Sequence, residues 1–275
     1  MSQVFDVTVA DFAEAIEWCH AEGWTDGLPV VPPTEKLVAR FRDASGWSPD
    51  AVLLREPVRG IEVTAGAVVV NCVLAGCRPE HLPVVGAALR AMDHPDFRAH
   101  IAVSSTGGPA PVVIVNGPIR DELGMNGSGN LFGPGNRANS SIGRAVRLTL
   151  RNCLGALPGV LDQATQGWFG KFSACFPERE EASPWEPLHV RRGFDATTST
   201  VTVLAAESAH SVLTRSGVSA DMILVNAADV LRTLGSHSDG QGYLVLSPEH
   251  ARILADAGWE VPAIQEHLFD GSRRA

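Results

Sequence analysis

The sequence predicts an α/β protein, with layered helices on mixed sheets. Short apolar runs such as PVVIV at 111–115 and TVTVLA at 200–205 alternate with stretches of helical period. Hydroxyl, acidic and proline residues stand where those stretches begin. A chain of 275 residues with 45% hydrophobic content is also long enough to bury a substantial core. The expected organisation is a single α/β unit over 1–275, with an N-terminal wrapping arm at 1–49. Two pseudo-repeated halves, at about 50–160 and 195–270, are a candidate within it.

From the N-terminus, Val9, Phe12, Ile16 and Cys19 have helical spacing, with Asp11 early and Gly23 as a stop. In GWTDGLPVVPPT (23–34), Pro29, Pro32 and Pro33 forbid helix, so an extended segment crosses the body. Thr34 caps a helix over 35–42. The run from Glu62 to Ala75, rich in small apolar residues, reads as a buried helix or helix pair. Pro79 opens another helix to Met92. Strands are expected at 100–103 and 111–115, joined by the turn SSTGGPA. A helix is expected over 141–154, and an irregular span over 155–193. Further strands are expected at 200–205, 222–225 and 243–246, then a helix at 247–257 capped by Ser247 with Pro248 in its first turn. Residues 104–118 and 235–250 both place a Ser/Gly turn before an apolar strand, which is the basis for the two candidate halves.

Composition narrows the function. The net charge is −9 with both signs interspersed, so no basic face invites nucleic acid. No apolar run reaches the roughly 20 residues of a membrane helix, and the N-terminus lacks the pattern of a signal peptide. A cytoplasmic protein is expected. Five scattered cysteines, an odd number, argue against a disulfide framework.

The segment GMNGSGNLFGPGNRANSSIGR (124–144) holds six glycines and leads into a helix. Glycine at that density lets backbone N–H groups approach a ligand, and a helix N-terminus behind it favours an anion. Asn136, Arg137, Asn139 and Arg144 are therefore candidate carboxylate or phosphate ligands, with the two guanidinium groups as a clamp. The pattern matches neither the phosphate-cradling nor the dinucleotide glycine motif.

Five stretches carry a resemblance: GWTDGLPVVPPT, NCVLAGCRPEHLPVV, VNGPIRDELGMN, GPGNRANSSIGRA and EEASPWEPLHVRRGF. They resemble a bacterial family with DGLPVVPPT, AGCRPE, IVNGP, GPGxRANxTIGRA and SPWEPLHV motifs. That family is related in its opening motif to proteins named for a UGSC motif, some of which use selenocysteine. The resemblance is dense over about 23–195 and supplies no reaction. It implies that Cys77, on the AGCRPE cysteine, is the working thiol, since Cys72 sits where relatives more often carry alanine. Relatives often continue past this chain's end with another glycine-rich strand. The resemblance therefore implies a small partner subunit, or self-association, supplying that piece.

The residues themselves also nominate Cys77, a thiol near a helix start beside Arg78, as nucleophile or redox centre. Cys19, Cys153 and Cys175 read as packing residues. Ser105 and Thr106, next to Gly107-Gly108, could serve an oxyanion or substrate. Glu186 and His189, near Glu181 and flanked by Trp185, are acid–base candidates. His210, with Glu207 three residues earlier, and His237, beside Asp239, could act as general bases. His189, His210 and His237 could hold a metal together with a carboxylate, but no HxH or HExxH spacing supports one, and no cofactor is expected. Lys171 lies among Trp168, Phe169 and Phe172 as a possible anion contact. His20, His81, His94, His100, His250 and His267 read as surface or helix-end residues. The combined expectation is an enzyme of lyase or hydrolase type, acting on a small carboxylate-bearing substrate by thiol and His/Glu chemistry. The alternatives are a thiol or selenol redox component and a non-catalytic binding subunit of a heteromeric enzyme.

Overall fold

In the computed structural model, which describes residues 7–213, 217–234 and 240–273, helices pack on small sheets of both strand directions, an α/β fold. The chain forms two compact units: Met1–Glu178 with Asp195–Ser208, and Arg179–Phe194 with Ala209–Ala275.

The first unit opens with α1 (Phe12–Ala21), whose first turn is capped by the Asp11 side chain, and α2 (Glu35–Ser45), capped by Thr34. Between them the proline-rich arm is tied down by side chains from far along the chain. Arg144 donates to both Asp26 carboxylate oxygens at 2.8 and 2.7 Å and to the Leu28 and Pro29 carbonyls. Asn152 donates to the Trp24 carbonyl. The Asp26 carboxylate is itself buried, which opposes its charge, but the bonds from Arg144 and the charge of its guanidinium hold its pKa below the ordinary value.

Strands β1 (Val52–Glu56) and β2 (Ile61–Thr64) form an antiparallel hairpin. Thr64 ends β2 and caps α3 (Ala65–Leu74), eight of whose ten residues are buried. A helix apolar all round belongs inside the molecule. A short 3-10 turn at Pro79–His81 then leads into α4 (Leu82–Met92). Residues 100–103, expected as a strand, lie within α5 (Ala99–Ser104). The Ser104 hydroxyl bonds back to the His100 carbonyl one turn earlier, and the His100 ring reaches the buried Glu56 carboxylate.

Strand β3 (Ala110–Asn116) is buried along its whole length and is the centre of a three-stranded sheet. It pairs in parallel with β4 (Cys175–Pro177), matching Val113 to Cys175, and antiparallel with β5 (Thr200–Ala206), matching Val113 to Val203. After α6 (Ile119–Glu122), α7 (Arg137–Leu154) packs on α3 and against β3 and β4. It begins four residues before the expected Ser141, because Asn136 caps it by accepting from the Asn139 N–H at 3.0 Å. Gly143 faces β4 so closely that a Cβ there would stand 2.7 Å from the Ala174 nitrogen.

In the second unit, α8 (Leu188–Arg191) precedes α9 (Ala220–Thr233), α10 (Pro248–Asp256) and α11 (Val261–Ser272). The expected strand at 222–225 is part of α9, where Ile223, Leu224, Ala227 and Ala228 share one buried face against Leu254, Ile264 and Leu268. The expected strand at 243–246 is absent: that segment has no regular structure, and Tyr243, Leu244 and Val245 are exposed. Ser247 caps α10 with Pro248 at its first position, as its sequence signals indicate. No helix among the described residues is long and apolar enough to cross a membrane.

Replacing Asp26 with alanine should leave Arg144 buried without its partner and free the arm. Urea unfolding followed by circular dichroism should show a loss of about 3 kcal/mol. An unchanged midpoint would mean that the arm is held by its carbonyl contacts alone.

Candidate functional site

The site is built at the end of α3. The helix stops because Gly76 takes the left-handed conformation, φ +78°. The Gly76 N–H donates to the Val73 carbonyl at 2.9 Å and the Cys77 N–H to the Cys72 carbonyl at 3.0 Å. These two bonds define a Schellman turn, which folds the chain so that Cys77 returns beside Cys72. Arg137, first residue of α7, locks the turn: its Nε donates to the Gly76 carbonyl at 3.0 Å and its Nη2 to that of Cys77 at 3.3 Å. A cation at the carbonyl end of α3 also suits the helix dipole.

Cys77 is buried, 4% exposed. As a thiol it donates to the Ser141 carbonyl at 3.3 Å. Burial alone would raise its pKa. The neighbouring Cys72, His81 and Ser141 side chains outweigh that and bring it down to about 6. Cys72 moves the other way, raised by its bond to Cys77 and by burial. His81, buried rather than at the surface, accepts the Arg78 N–H through Nδ1 at 3.3 Å, and the Ser141 hydroxyl lies 3.3 Å from the same nitrogen. The remaining cysteines are not activated in this way. Burial pushes Cys153 up to about 11 and raises Cys19 and Cys175, the last also through the nearby Cys77 charge.

Cys77 lines a cleft of about 420 Å³, together with Val31, Arg40, Arg78, Glu80 and Arg137. Arg40 and Arg78 are exposed and their side chains enter no hydrogen bond or ion pair among the described residues. Two uncommitted guanidinium groups therefore stand at the cleft that Cys77 borders.

The other expected residues are placed differently. Arg144 does not join Arg137 in a clamp, because its guanidinium is taken up by Asp26 and the arm. Asn136 is the α7 cap and donates to the Gly124 carbonyl; Asn139 brackets the Asn126 backbone, accepting its N–H and donating to its carbonyl. The glycine-rich segment is thus held by its own amides. Ser105 accepts the Gly107 N–H and the Gly108 N–H meets the Ser105 carbonyl, so the amides of that turn are engaged; Thr106 offers its carbonyl to Thr165. Lys171 is paired with both oxygens of Asp162 at 2.7 Å, and Arg147 shares that buried carboxylate. In the second unit Glu186 and His210 are exposed, and His189 is buried with Nδ1 3.8 Å from Glu180. His237 lies outside the described residues. Among the described residues no three His, Cys, Asp or Glu side chains gather as a metal-ligand set.

Sequence reasoning missed His81 and Ser141. The available signal was the spacing: His81 follows Cys77 by four residues across a proline-opened turn. No protein family, curated protein or solved structure matches this chain.

Alkylation of Cys77 by iodoacetamide should rise with a midpoint near pH 6 and level off above it, since the thiolate is the reacting form. In His81→Gln the midpoint should move up toward the ordinary thiol range of roughly 8.5. Peptide mapping by mass spectrometry across a pH series checks both, and an unshifted midpoint in the variant would remove His81 from the site.

Proposed function

We propose that the cleft of the first unit binds a small carboxylate-bearing organic molecule and that Cys77 is the nucleophile of a lyase- or hydrolase-type enzyme. One observation carries this reading: a thiol with a pKa of about 6 borders a cleft that also presents the unengaged guanidinium groups of Arg40 and Arg78. A planar guanidinium matches a carboxylate through two parallel hydrogen bonds, so either arginine can anchor the substrate while its electrophilic carbon faces the sulfur.

The chemistry follows from the residues present. The thiolate attacks an acyl carbon, the bond to the leaving group breaks, and the departing group takes a proton from solvent, while His81 stands on the turn after Cys77 with Nδ1 accepting the Arg78 N–H. Water then cleaves the thioester and restores the thiolate. Ser141 and Arg137 act as positioning residues, one on the His81 ring and one on the turn that carries Cys77. Glu186, His189 and His210 belong to the other unit and take no part in this first-unit scheme.

Membership in the bacterial family that the motifs resemble is part of the same proposal. Four of the five motif stretches lie in the first unit, where two contacts join them: Asp26 with Arg144 on the arm, and Gly76-Cys77 with Arg137 at the site. A cytoplasmic setting fits five free cysteines. Assembly with itself or with a small partner subunit is read from the family resemblance alone, and sedimentation of the purified protein tests it.

Calorimetry with succinate as a probe should detect binding that weakens roughly tenfold in Arg40→Ala or Arg78→Ala, the cost of one charge-assisted contact. Cys77→Ser should keep that binding while losing hydrolysis of an activated ester of the same acid. Binding that ignores both arginine variants overturns the anion reading. Full binding with no turnover in the wild type would favour a binding subunit.

A further inference from the structure

The Schellman turn that ends α3 does something the proposed reaction has no use for: it brings a second cysteine back beside the first. Cys72 and Cys77 occupy the two positions whose backbones are joined by the longer bond of the turn, the Cys77 N–H to the Cys72 carbonyl at 3.0 Å. Side chains at these two positions commonly touch. Here both are cysteines, and both are buried. A disulfide requires its two α carbons close together and its Cβ atoms converging, and the turn draws the two residues together. Cys77 borders the cleft, whereas Cys72 is fully buried, so an oxidant entering the cleft meets Cys77 first.

We propose that Cys72 and Cys77 form a reversible disulfide, with Cys77 as the sulfur that reacts with a hydroperoxide and Cys72 as the thiol that resolves the product. In the first step the Cys77 thiolate attacks the outer oxygen of the hydroperoxide. An S–O bond forms, the O–O bond breaks, and the alkoxide leaves as an alcohol after taking a proton. The sulfur has given up two electrons and is now a sulfenic acid. In the second step the Cys72 thiol gives up its proton and its sulfur attacks Cys77. The S–S bond forms, the S–O bond breaks, and hydroxide leaves with that proton as water. Overall, two thiols and one hydroperoxide give one disulfide, one alcohol and one water. An external dithiol reverses the bridge by exchange.

Three features of the site favour this course over irreversible oxidation. The surroundings that lower the Cys77 pKa also favour attack of its thiolate on peroxide. The resolving thiol is carried by the same turn, so a sulfenic acid is captured before a second peroxide arrives. Arg137 holds the carbonyls of Gly76 and Cys77, so the turn stays closed while the bond forms. Cys175 is the competitor: it is buried on β4 within reach of the Cys77 charge. It belongs to a strand whose position is fixed by pairing with β3, whereas Cys72 belongs to the same turn as Cys77. The inference does not depend on the carboxylate reading, since it invokes neither Arg40 nor Arg78.

The test treats the full-length protein with a small molar excess of cumene hydroperoxide, alkylates free thiols and maps tryptic peptides. Cys72 and Cys77 fall in one peptide, 60–90, because the bond after Arg78 precedes proline and resists cleavage. In the wild type that peptide should lose two hydrogens and both alkylation sites, and dithiothreitol should restore them. Cys72→Ala, a substitution of similar size, should instead accumulate Cys77 sulfinic acid, and Cys175→Ala should behave as the wild type. Circular dichroism confirms that each variant is folded. A bridge from Cys77 to Cys175, or sulfinic acid at Cys77 in the wild type with Cys72 still alkylated, would overturn the proposal. So would unreactive thiols at both positions. Loss of succinate binding would leave all of these readouts unchanged, so the two readings fail separately.

Discussion

The Arg137 guanidinium, bonded to the carbonyls of Gly76 and Cys77, joins the first residue of one long helix to the last turn of another. Carbonyl groups at a helix end have no partner within the helix and carry its negative pole. A buried helix such as α3 cannot leave them to water, so it needs a cation or a tight turn, and here it has both. Fixing those carbonyls fixes the direction in which Cys77 leaves the turn, and with it the contact to Cys72, the approach of His81 and the wall of the cleft. The site is therefore a by-product of how α3 is terminated and α7 begins.

The charges around this joint are divided by role. Arg144 sits two turns along α7 from Arg137, yet its guanidinium is consumed in tying the proline-rich arm to the body through Asp26. Arg147 lies one turn further and shares the buried Asp162 with Lys171. One helix thus uses its arginines to anchor three different segments, and Arg40 and Arg78, which come from elsewhere, line the cleft. A carboxylate buried with its guanidinium partner is costly to separate, so these pairs serve the fold.

Much of the fold was legible wherever a local signal fixed a boundary. Asp11, Thr34 and Ser247 cap their helices because short polar side chains can reach the free N–H groups, and PVVIV and TVTVLA pair as β3 and β5. Reading failed where four apolar residues were judged alone. Met222–Val225 is compatible with either period, and only Ala227, Ala228 and Leu231 further on reveal the helix. Strand β4 is three residues with a proline, held only by its neighbour β3, so nothing local announces it. The same contrast runs through the site. Cys77 and Arg137 were visible as residue types in unusual contexts, and the structure places both at one cleft. Arg144 was misassigned because its partner lies 118 positions earlier. His81 was passed over because its value comes entirely from what the turn folds against it.

The tether between Asp26 and Arg144 also bears on how the protein is made. Synthesis runs from the N-terminus, so the arm, with its apolar Leu28, Val30 and Val31, leaves the ribosome more than a hundred residues before the side chains that hold it. During that interval the arm has no surface to lie on, since α7 is still in the future. The long loop adds only a modest entropic cost to closure, because that cost grows with the logarithm of its length. The delay is another matter: an extended apolar strip waiting for a late partner is the kind of segment that nascent-chain chaperones hold. Capture of the arm is then a late event of biosynthesis, and it cannot occur before α7 emerges and folds.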